Sequence, residues 1–479
     1  MALSIIAHMS KRLFLLCAAM PLAVISTLSI AQEQPLPDLG DRESSVLSPH
    51  EERVIGEQFL IELRRNVRTV KDPILKYFVR TNMFELAEYS DLTDTELHSV
   101  IIDAKELNAF AAPGGIIGIN LGLFRFAQDV HEYSSVVAHE LAHLSQRHFA
   151  RRMDQQRQLT VAQLVGFLTS AAVLASGASD AGLAGLLGTY SMVEAEALKY
   201  SRLQEREADR IGFNALTKAG YDPFGASRMF ERMGTQDDAR EFLRTHPVSQ
   251  KRVADLYAKA QELPDGEFQP SNDYQLMRVR ALQRFVETTT SFVRNPGSIR
   301  GDGVADKYEL ALVLHQRGEF DLSVAKMKEV LEQMPTSILA ISCYAELLTQ
   351  SEKADRAISV LEDALADTPD NTPLSIMYAR ALKSAERFEE ATSILQKQAR
   401  LHSYDTDLWF ELAETAGLAD DIVEVHRSRA EFFALRGQFN EAISQLRLAK
   451  KANNGVSFRV DAGLDQRILE LRERAEQGV

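Results

Sequence analysis

Two histidines one helical turn apart with a glutamate between them, His139-Glu140-Leu141-Ala142-His143, limit what this chain can fold into more than any other feature. On an α-helix, residues four apart lie on one face, so both imidazoles project the same way. So placed, they can fill two corners of a tetrahedral zinc site, at Zn–N distances of about 2.0–2.1 Å. Glu140 is offset by one residue, where its carboxylate reaches a water at the metal without ligating the ion. The surrounding run, residues 133–148, holds neither proline nor glycine and is expected to be helical. A fold carrying this element must bring a third ligand from elsewhere in the chain and keep one position open.

The sequence supplies a candidate. Residues 200–216 again follow a helical pattern, and Glu205 and Asp209 share one of its faces while Glu207 points elsewhere. Glu205 is the expected third ligand. Asp209, one turn along, is placed to orient an imidazole or to handle a proton. Either stretch alone also reads as a solvated, charge-rich helix; the pair favours a metal site.

His139-Glu140-x-x-His143 followed by Glu205-x-Glu207-Ala208-Asp209 resembles the gluzincin metallopeptidases of the HtpX and CAAX prenyl protease type. Asn108-Ala109-Phe110-Ala111-Ala112-Pro113-Gly114-Gly115 is similar to the strand-and-turn segment that precedes the zinc helix in that family. Thr245-His246-Pro247 with Arg252 matches an element of its periplasmic branch. The matches lie within residues 50–260. The resemblance implies one Zn2+ per chain held by His139, His143 and Glu205, with Glu140 as base and Asp209 as proton donor or orienting group.

The alternation and glycine-rich turn of residues 108–123 suit a short exposed edge strand. A substrate peptide could pair with it at Asn108, Ala109, Phe110, Gly114 and Gly115 and so present its carbonyl to the metal. His246 has two readings. With Pro247 after it, it can open a helix as a capping or structural residue. It can also be a regulatory fourth ligand that displaces the water and silences the site.

Lys11-Arg12, the apolar run Leu13 to Ile30 and Ser29-Ile30-Ala31 read as a secretory signal peptide over residues 1–31, cleaved after Ala31, with an uncleaved anchor as the alternative. Cleavage removes Cys17 and leaves Cys343 alone, so the mature chain has no internal disulfide; this suits a Gram-negative periplasm. Leu159 to Met192 is apolar, but Gln163, Thr169, Ser170, Ser176 and several glycines interrupt it. The resemblance implies two helices and a loop beside the active site there, as a soluble plug or substrate-shielding flap, with contact to a membrane surface as the alternative. The net charge of −14, from 54 basic and 68 acidic residues without a long basic run, argues against nucleic acid as a partner.

A period of 34 residues sets in near residue 305, with Pro335 and Pro369 one period apart. Ala311, Gly318, Phe320 and Met327, then Ala345, Ala357, Leu361 and Ala364, then Ala379, Phe388, Ala391 and Leu395 fall near tetratricopeptide consensus positions. After an irregular stretch, Leu408 to Ala413, the clearest copy is Ala430, Gly437, Phe439, Ala442, Leu446 and Ala449. The small alanines let paired helices approach, and the larger apolar residues fill the space between repeats. The expected class is mainly α: a helical zincin domain with a small β-sheet over 32–265, then an α-solenoid over 266–479 whose clearest repeats are 304–452. Pro264, Asp265, Gly266 and Pro270 mark the expected boundary.

The combination resembles the periplasmic family members that join a protease to tetratricopeptide repeats. It implies a zinc-dependent endopeptidase in quality control of outer-membrane β-barrel assembly, degrading misassembled barrels and assisting their maturation. Implied partners are unfolded outer-membrane proteins, the barrel assembly machinery and the lipopolysaccharide transporter, in the periplasm and in association with the outer membrane. The rival reading is a non-proteolytic chaperone or scaffold that works through its repeats; Glu140 speaks against it, because a structural zinc needs no base.

Overall fold

The computed structural model describes residues 47–93, 96–155, 160–176, 201–234, 239–287 and 296–477, which lie in the compact unit Ser45–Val479. The expected signal peptide, and residues 177–192 of the apolar segment, fall outside the described residues. The architecture is mainly α with one three-stranded sheet, as the sequence leads one to expect.

Ser48 and Glu51 form a capping box that starts helix α1, Pro49–Asn66, and Asp72 with Pro73 starts α2, Pro73–Glu88. The sheet follows: β1 His98–Ile102, β2 Ala109–Ala112 and β3 Ile116–Asn120, in the order β1-β3-β2. β3 runs parallel to β1 and antiparallel to β2. The turn between β2 and β3 uses Gly114 and Gly115 at φ of 76° and 73°, a region costly for residues with a Cβ. β2 is an edge strand, as expected, but it is not exposed: Ala109, Ala111 and Ala112 are buried. Small side chains let it lie close against the helix that carries the histidine pair.

That helix, α4, runs from Val130 to Ser145 after the short α3, Leu123–Phe126. It ends three residues earlier than the proline-free run allows, because Arg147 adopts a left-handed conformation at φ 48°. α5, His148–Gln155, then turns away, and α6, Val161–Ala175, packs Leu164, Val165 and Leu168 against Ile55, Phe59 and Leu60 of α1. Among the described residues no helix is long and apolar enough to cross a membrane. Ser201 and Gln204 cap α7, Arg202–Lys218, and α8, α9 and α10 follow at Phe224–Met233, Arg240–Thr245 and Gln250–Gln261.

Residues 261–270 are exposed and lead into α11, Asn272–Glu287. Beyond it the helices pair. First helices begin at Val304, Ile338, Thr372 and Thr406 and second helices at Phe320, Ala354, Phe388 and Ile422, each 34 residues after the last. Phe439–Asn453 and Phe458–Gln477 close the array. The stretch Leu408–Ala413, irregular in sequence, lies in a helix that keeps the phase. The turn inside each pair needs one left-handed residue, and it falls on Gly318, Glu352, Glu386 and Asp420 in succession. Glycine occupies only the first of these, which hides the repeat from a consensus.

The array does not hang from the rest by a linker alone. Arg64 of α1 donates to the carbonyls of Leu435 and Tyr404, both at 2.9 Å, and Arg65 donates to those of Arg436 and Gly437 at 2.8 and 3.1 Å. Lys76 of α2 pairs with Asp405 at 3.0 Å. Arg280 of α11 lies between Asp72 and Glu346, at 2.6 and 2.7 Å, and joins α2 to the second repeat.

Candidate metal centre

Asp129 caps α4 by accepting from the Glu132 N–H at 2.9 Å, and fifteen of its sixteen residues are buried, so the helix is a core element rather than a surface one. It crosses α7 at very close range. A Cβ on Gly212 would come within 2.9 Å of the Ala138 carbonyl oxygen and 3.0 Å of the His139 Cα. Only glycine admits that approach, and it brings Glu205 and Asp209 up to the histidine pair.

His139 Nε2 and His143 Nε2 lie 3.1 Å apart. Glu205 sits opposite, with Oε2 at 3.6 Å from His139 Nε2 and Oε1 at 3.6 Å from His143 Nε2. His246 enters from the end of α9, its Nδ1 3.0 Å from Glu205 Oε1 and its Nε2 3.5 Å from Glu140 Oε1. One ligand atom from each of His139, His143, Glu205 and His246 lies within 4.8 Å of all the others, and all four residues are buried. The donor set of imidazole nitrogens and one carboxylate suits a zinc-like divalent cation rather than calcium or magnesium. Both carboxylate oxygens of Glu140 are buried without a hydrogen-bond partner among the described residues. An orphaned buried carboxylate is costly, and a cation with a water beside it would satisfy it. The residues fit a metal.

His246 does not open a helix. It closes α9, donating its N–H to the Phe242 carbonyl at 2.8 Å, while Ser249 caps α10. The residue before a proline is pushed out of helical conformation, so Pro247 ends one helix instead of starting the next. Phe242 stacks on the His246 ring at 4.7 Å.

The surroundings hold the cluster in place. Asp209 Oδ1 lies 3.2 Å from His139 Nδ1, and Arg252 grips Asp209 with two hydrogen bonds of 2.7 Å. The same guanidinium is 2.7 Å from Glu205 Oε2 and lies over the Phe230 ring at 4.8 Å. Burial alone would lower the His139 pKa, but Asp209 and Glu205 outweigh it and raise it to about 9. Burial likewise opposes ionisation of Glu205, yet His246 and His139 hold it far below the usual carboxylate range. Asp209 is lowered against its burial by Arg252 and His139. Glu140 goes the other way: burial raises it, and His246 and His139 oppose that without cancelling it. Burial drives His143 down, and the neighbouring imidazoles of His139, His148 and His246 add to the effect.

The structure thus gathers His139, Glu140, His143, Glu205, Asp209 and His246 at one place. Asn108 to Gly115 form the edge strand and its turn, and β2 packs against α4. Sequence reasoning missed His148 and Glu207. His148 Nδ1 is 2.8 Å from His143 Nδ1, and His148 Nε2 is 3.0 Å from Glu207 Oε2. The signal was present as a histidine five residues after His143, but on a continuous helix it would have pointed elsewhere.

Residues 77–260 match the model of peptidase family M48, and residues 348–409 match a tetratricopeptide repeat model. The beta-barrel assembly-enhancing protease of Escherichia coli K12 is 28% identical over 96% of each chain. A Vibrio cholerae relative, bearing that name as a provisional one, is 30% identical over 97% of this chain and 98% of its own. The chain belongs to the beta-barrel assembly-enhancing protease family. The mitochondrial metalloendopeptidase OMA1 of Schizosaccharomyces pombe is 30% identical over 34% of this chain and 47% of its own. As a member of the beta-barrel assembly-enhancing proteases, the protein is a metalloendopeptidase whose catalytic unit is followed by tetratricopeptide repeats.

Proposed function

We propose that the protein is a periplasmic zinc endopeptidase that acts on outer-membrane β-barrel proteins during their assembly. The observation that carries the chemistry is the convergence of His139, His143 and Glu205 within ligand distance, with the buried Glu140 carboxylate, which accepts no hydrogen bond among the described residues, beside them. In this reading those three residues hold Zn2+. Zinc, when bound, supplies a Lewis acid for the peptide carbonyl and lowers the pKa of water to about 7.

Glu140 takes a proton from the attacking water at a carboxylate oxygen and returns it to the leaving amine nitrogen. Its burial opposes the charged form of the carboxylate and so favours its taking up a proton. Asp209, fixed by Arg252, orients the His139 ring from Nδ1. His246, whose ring lies within reach of the same three residues, would serve as a further ligand and would have to withdraw before a substrate carbonyl could enter. α6 touches the helix that His246 terminates, so a partner or substrate pressing on α6 has a short route to it.

A substrate strand pairs along β2 at Asn108, Ala109 and Phe110, with the Gly114–Gly115 turn at its end. β-barrel proteins, as chains of strands not yet closed, offer such segments. The relatives' name supports barrel assembly, and the basic-then-apolar leader at Lys11 to Ala31 supports export to the periplasm. The repeats present a surface for partners such as the barrel assembly machinery.

The test is digestion of an unfolded outer-membrane barrel protein. Wild type should cleave it, the chelated protein should not, and Glu140→Gln should keep its zinc while losing at least about 10²-fold in rate. A Glu140→Gln protein as active as wild type would overturn the assignment.

A further inference from the structure

The His143 ring is braced by side chains that the proposed reaction does not use. At His139, a carboxylate faces Nδ1 directly, with Asp209 at 3.2 Å. At His143, the corresponding nitrogen meets another imidazole, His148, at 2.8 Å, and that imidazole meets Glu207 at 3.0 Å. Arg151 Nη1 holds the same Glu207 oxygen at 3.0 Å. His148 is fully buried. It reaches back to His143 only because Arg147 is left-handed, and Arg147 is itself anchored to Glu52 and the Leu47 carbonyl at 3.1 and 2.6 Å.

We propose that His148 and Glu207 are positioning residues that fix the orientation and tautomer of His143. The proposal rests on the reading of His143 as a metal ligand through Nε2. Two imidazole nitrogens facing one another at hydrogen-bond distance share one hydrogen. When Nε2 of His143 offers its lone pair to a cation, the hydrogen of that ring sits on Nδ1 and is donated to Nδ1 of His148. The hydrogen of His148 then sits on Nε2 and is donated to Glu207. The reverse order would place a hydrogen on His143 Nε2 and turn a lone pair of His148 toward a carboxylate, which repels it. The charge on Glu207 therefore selects, through His148, the one tautomer of His143 that can bind a metal.

The arrangement also explains why Glu207, on a different face of α7 from Glu205, lies in a polar cluster rather than in solvent. Asp209 and Arg252 steady the site through His139, and Glu207 and Arg151 steady it through His148. The first brace ties α4 to α7 and the second ties α5 to α7. Partners of ligand imidazoles contribute to metal affinity about as this role requires.

The test measures zinc affinity of the full chain by competition with a chelator, and the d–d spectrum of the cobalt-loaded protein. His148→Ala should weaken zinc binding about 10–100-fold. His148→Asn places an amide oxygen where Nδ1 was, so it should recover affinity to within about threefold of wild type and restore the cobalt spectrum. Glu207→Ala should weaken binding in the wild-type background and add nothing to His148→Ala. A folded His148→Ala protein with wild-type affinity, equal losses for the alanine and asparagine variants, or additive losses with Glu207→Ala would each overturn the proposal. Should His148→Ala not fold, retained affinity in His148→Asn with loss in Glu207→Ala supports the relay, and any other pairing overturns it. His143→Ala separates the two levels. If it still binds zinc as wild type does, the site reading fails; if it abolishes binding while His148→Ala does nothing, only the relay fails.

Discussion

Gly212 of α7 lies against Ala138 of α4 so closely that a Cβ there would sit 2.9 Å from the Ala138 carbonyl oxygen. On a free helix, alanine would be favoured over glycine by about 1 kcal/mol. Here the neighbour is backbone, which cannot move aside, and overpacking costs about 1–3 kcal/mol. The clash wins. Gly212→Ala should lower the melting temperature and push Glu205 away from the histidine pair, with at least about a tenfold loss in zinc affinity. Wild-type zinc affinity, measured by chelator competition, would show that the approach of the two helices does not set the site.

His246 lies within 3.5 Å of Glu140 and 3.0 Å of Glu205, and in the proposed reading it blocks the entry of a substrate carbonyl. His246→Ala should raise the rate of cleavage of an unfolded barrel protein. A gain of about tenfold would correspond to about 1.4 kcal/mol of closure. Steady-state proteolysis under zinc saturation reads this directly, and an unchanged or lower rate would assign His246 to structure or to substrate binding.

Glu352 and Glu386 hold left-handed conformations, both at φ 59°, where the first repeat has Gly318. A left-handed residue with a Cβ costs about 1–2 kcal/mol, partly offset by the greater freedom glycine gives the unfolded chain. Glu352→Gly and Glu386→Gly should each stabilise the array by about 0.5–1 kcal/mol. Urea unfolding of the full chain would register the gain as a higher midpoint; a lower midpoint would mean these side chains contribute more than their backbone costs.

Asp72 is buried at the junction of α2, α11 and the repeats. Burial would raise its pKa, but Arg280 and the N–H groups of Leu75 and Ile74 bring it below the ordinary carboxylate value. A carboxyl depressed on folding contributes stability that is fully present above its unfolded pKa of about 3.9 and is lost as pH falls through the folded value. Wild-type stability should therefore drop as pH falls below about 4. Asp72→Asn keeps a helix cap and should flatten that part of the fall. Urea midpoints between about pH 6 and about pH 3 test it, and parallel curves for the two proteins would exclude the contribution.

Much of the site was legible because it is written in helical spacing. His139, Glu140 and His143 are one turn of one helix, and Glu205 with Asp209 one turn of another, so local periodicity alone places them. His148 was not legible, because its direction depends on a single left-handed residue, Arg147, whose conformation is held by contacts with Glu52 and Leu47 a hundred residues away. Of the two readings of His246, the helix-opening one failed for a similar reason: Pro247 can end a helix as readily as start one, and only the packing of Phe242 and the Ser249 cap decides between them.

The same division runs through the repeats. Their period is a property of the chain, visible in alanines spaced by 34, because each unit buries its small residues against the next. The seam that joins them to the metal centre is not periodic at all. Arg64, Arg65, Lys76 and Arg280 reach carbonyls and carboxylates up to 372 positions distant. Chemistry carried by one helical turn could be read from residue order, since a helix fixes which side chains share a face. How α4, α7, the edge strand and the array meet was settled by folding alone, because close approach at Gly212 and pairing across the seam depend on backbone positions that no local pattern encodes.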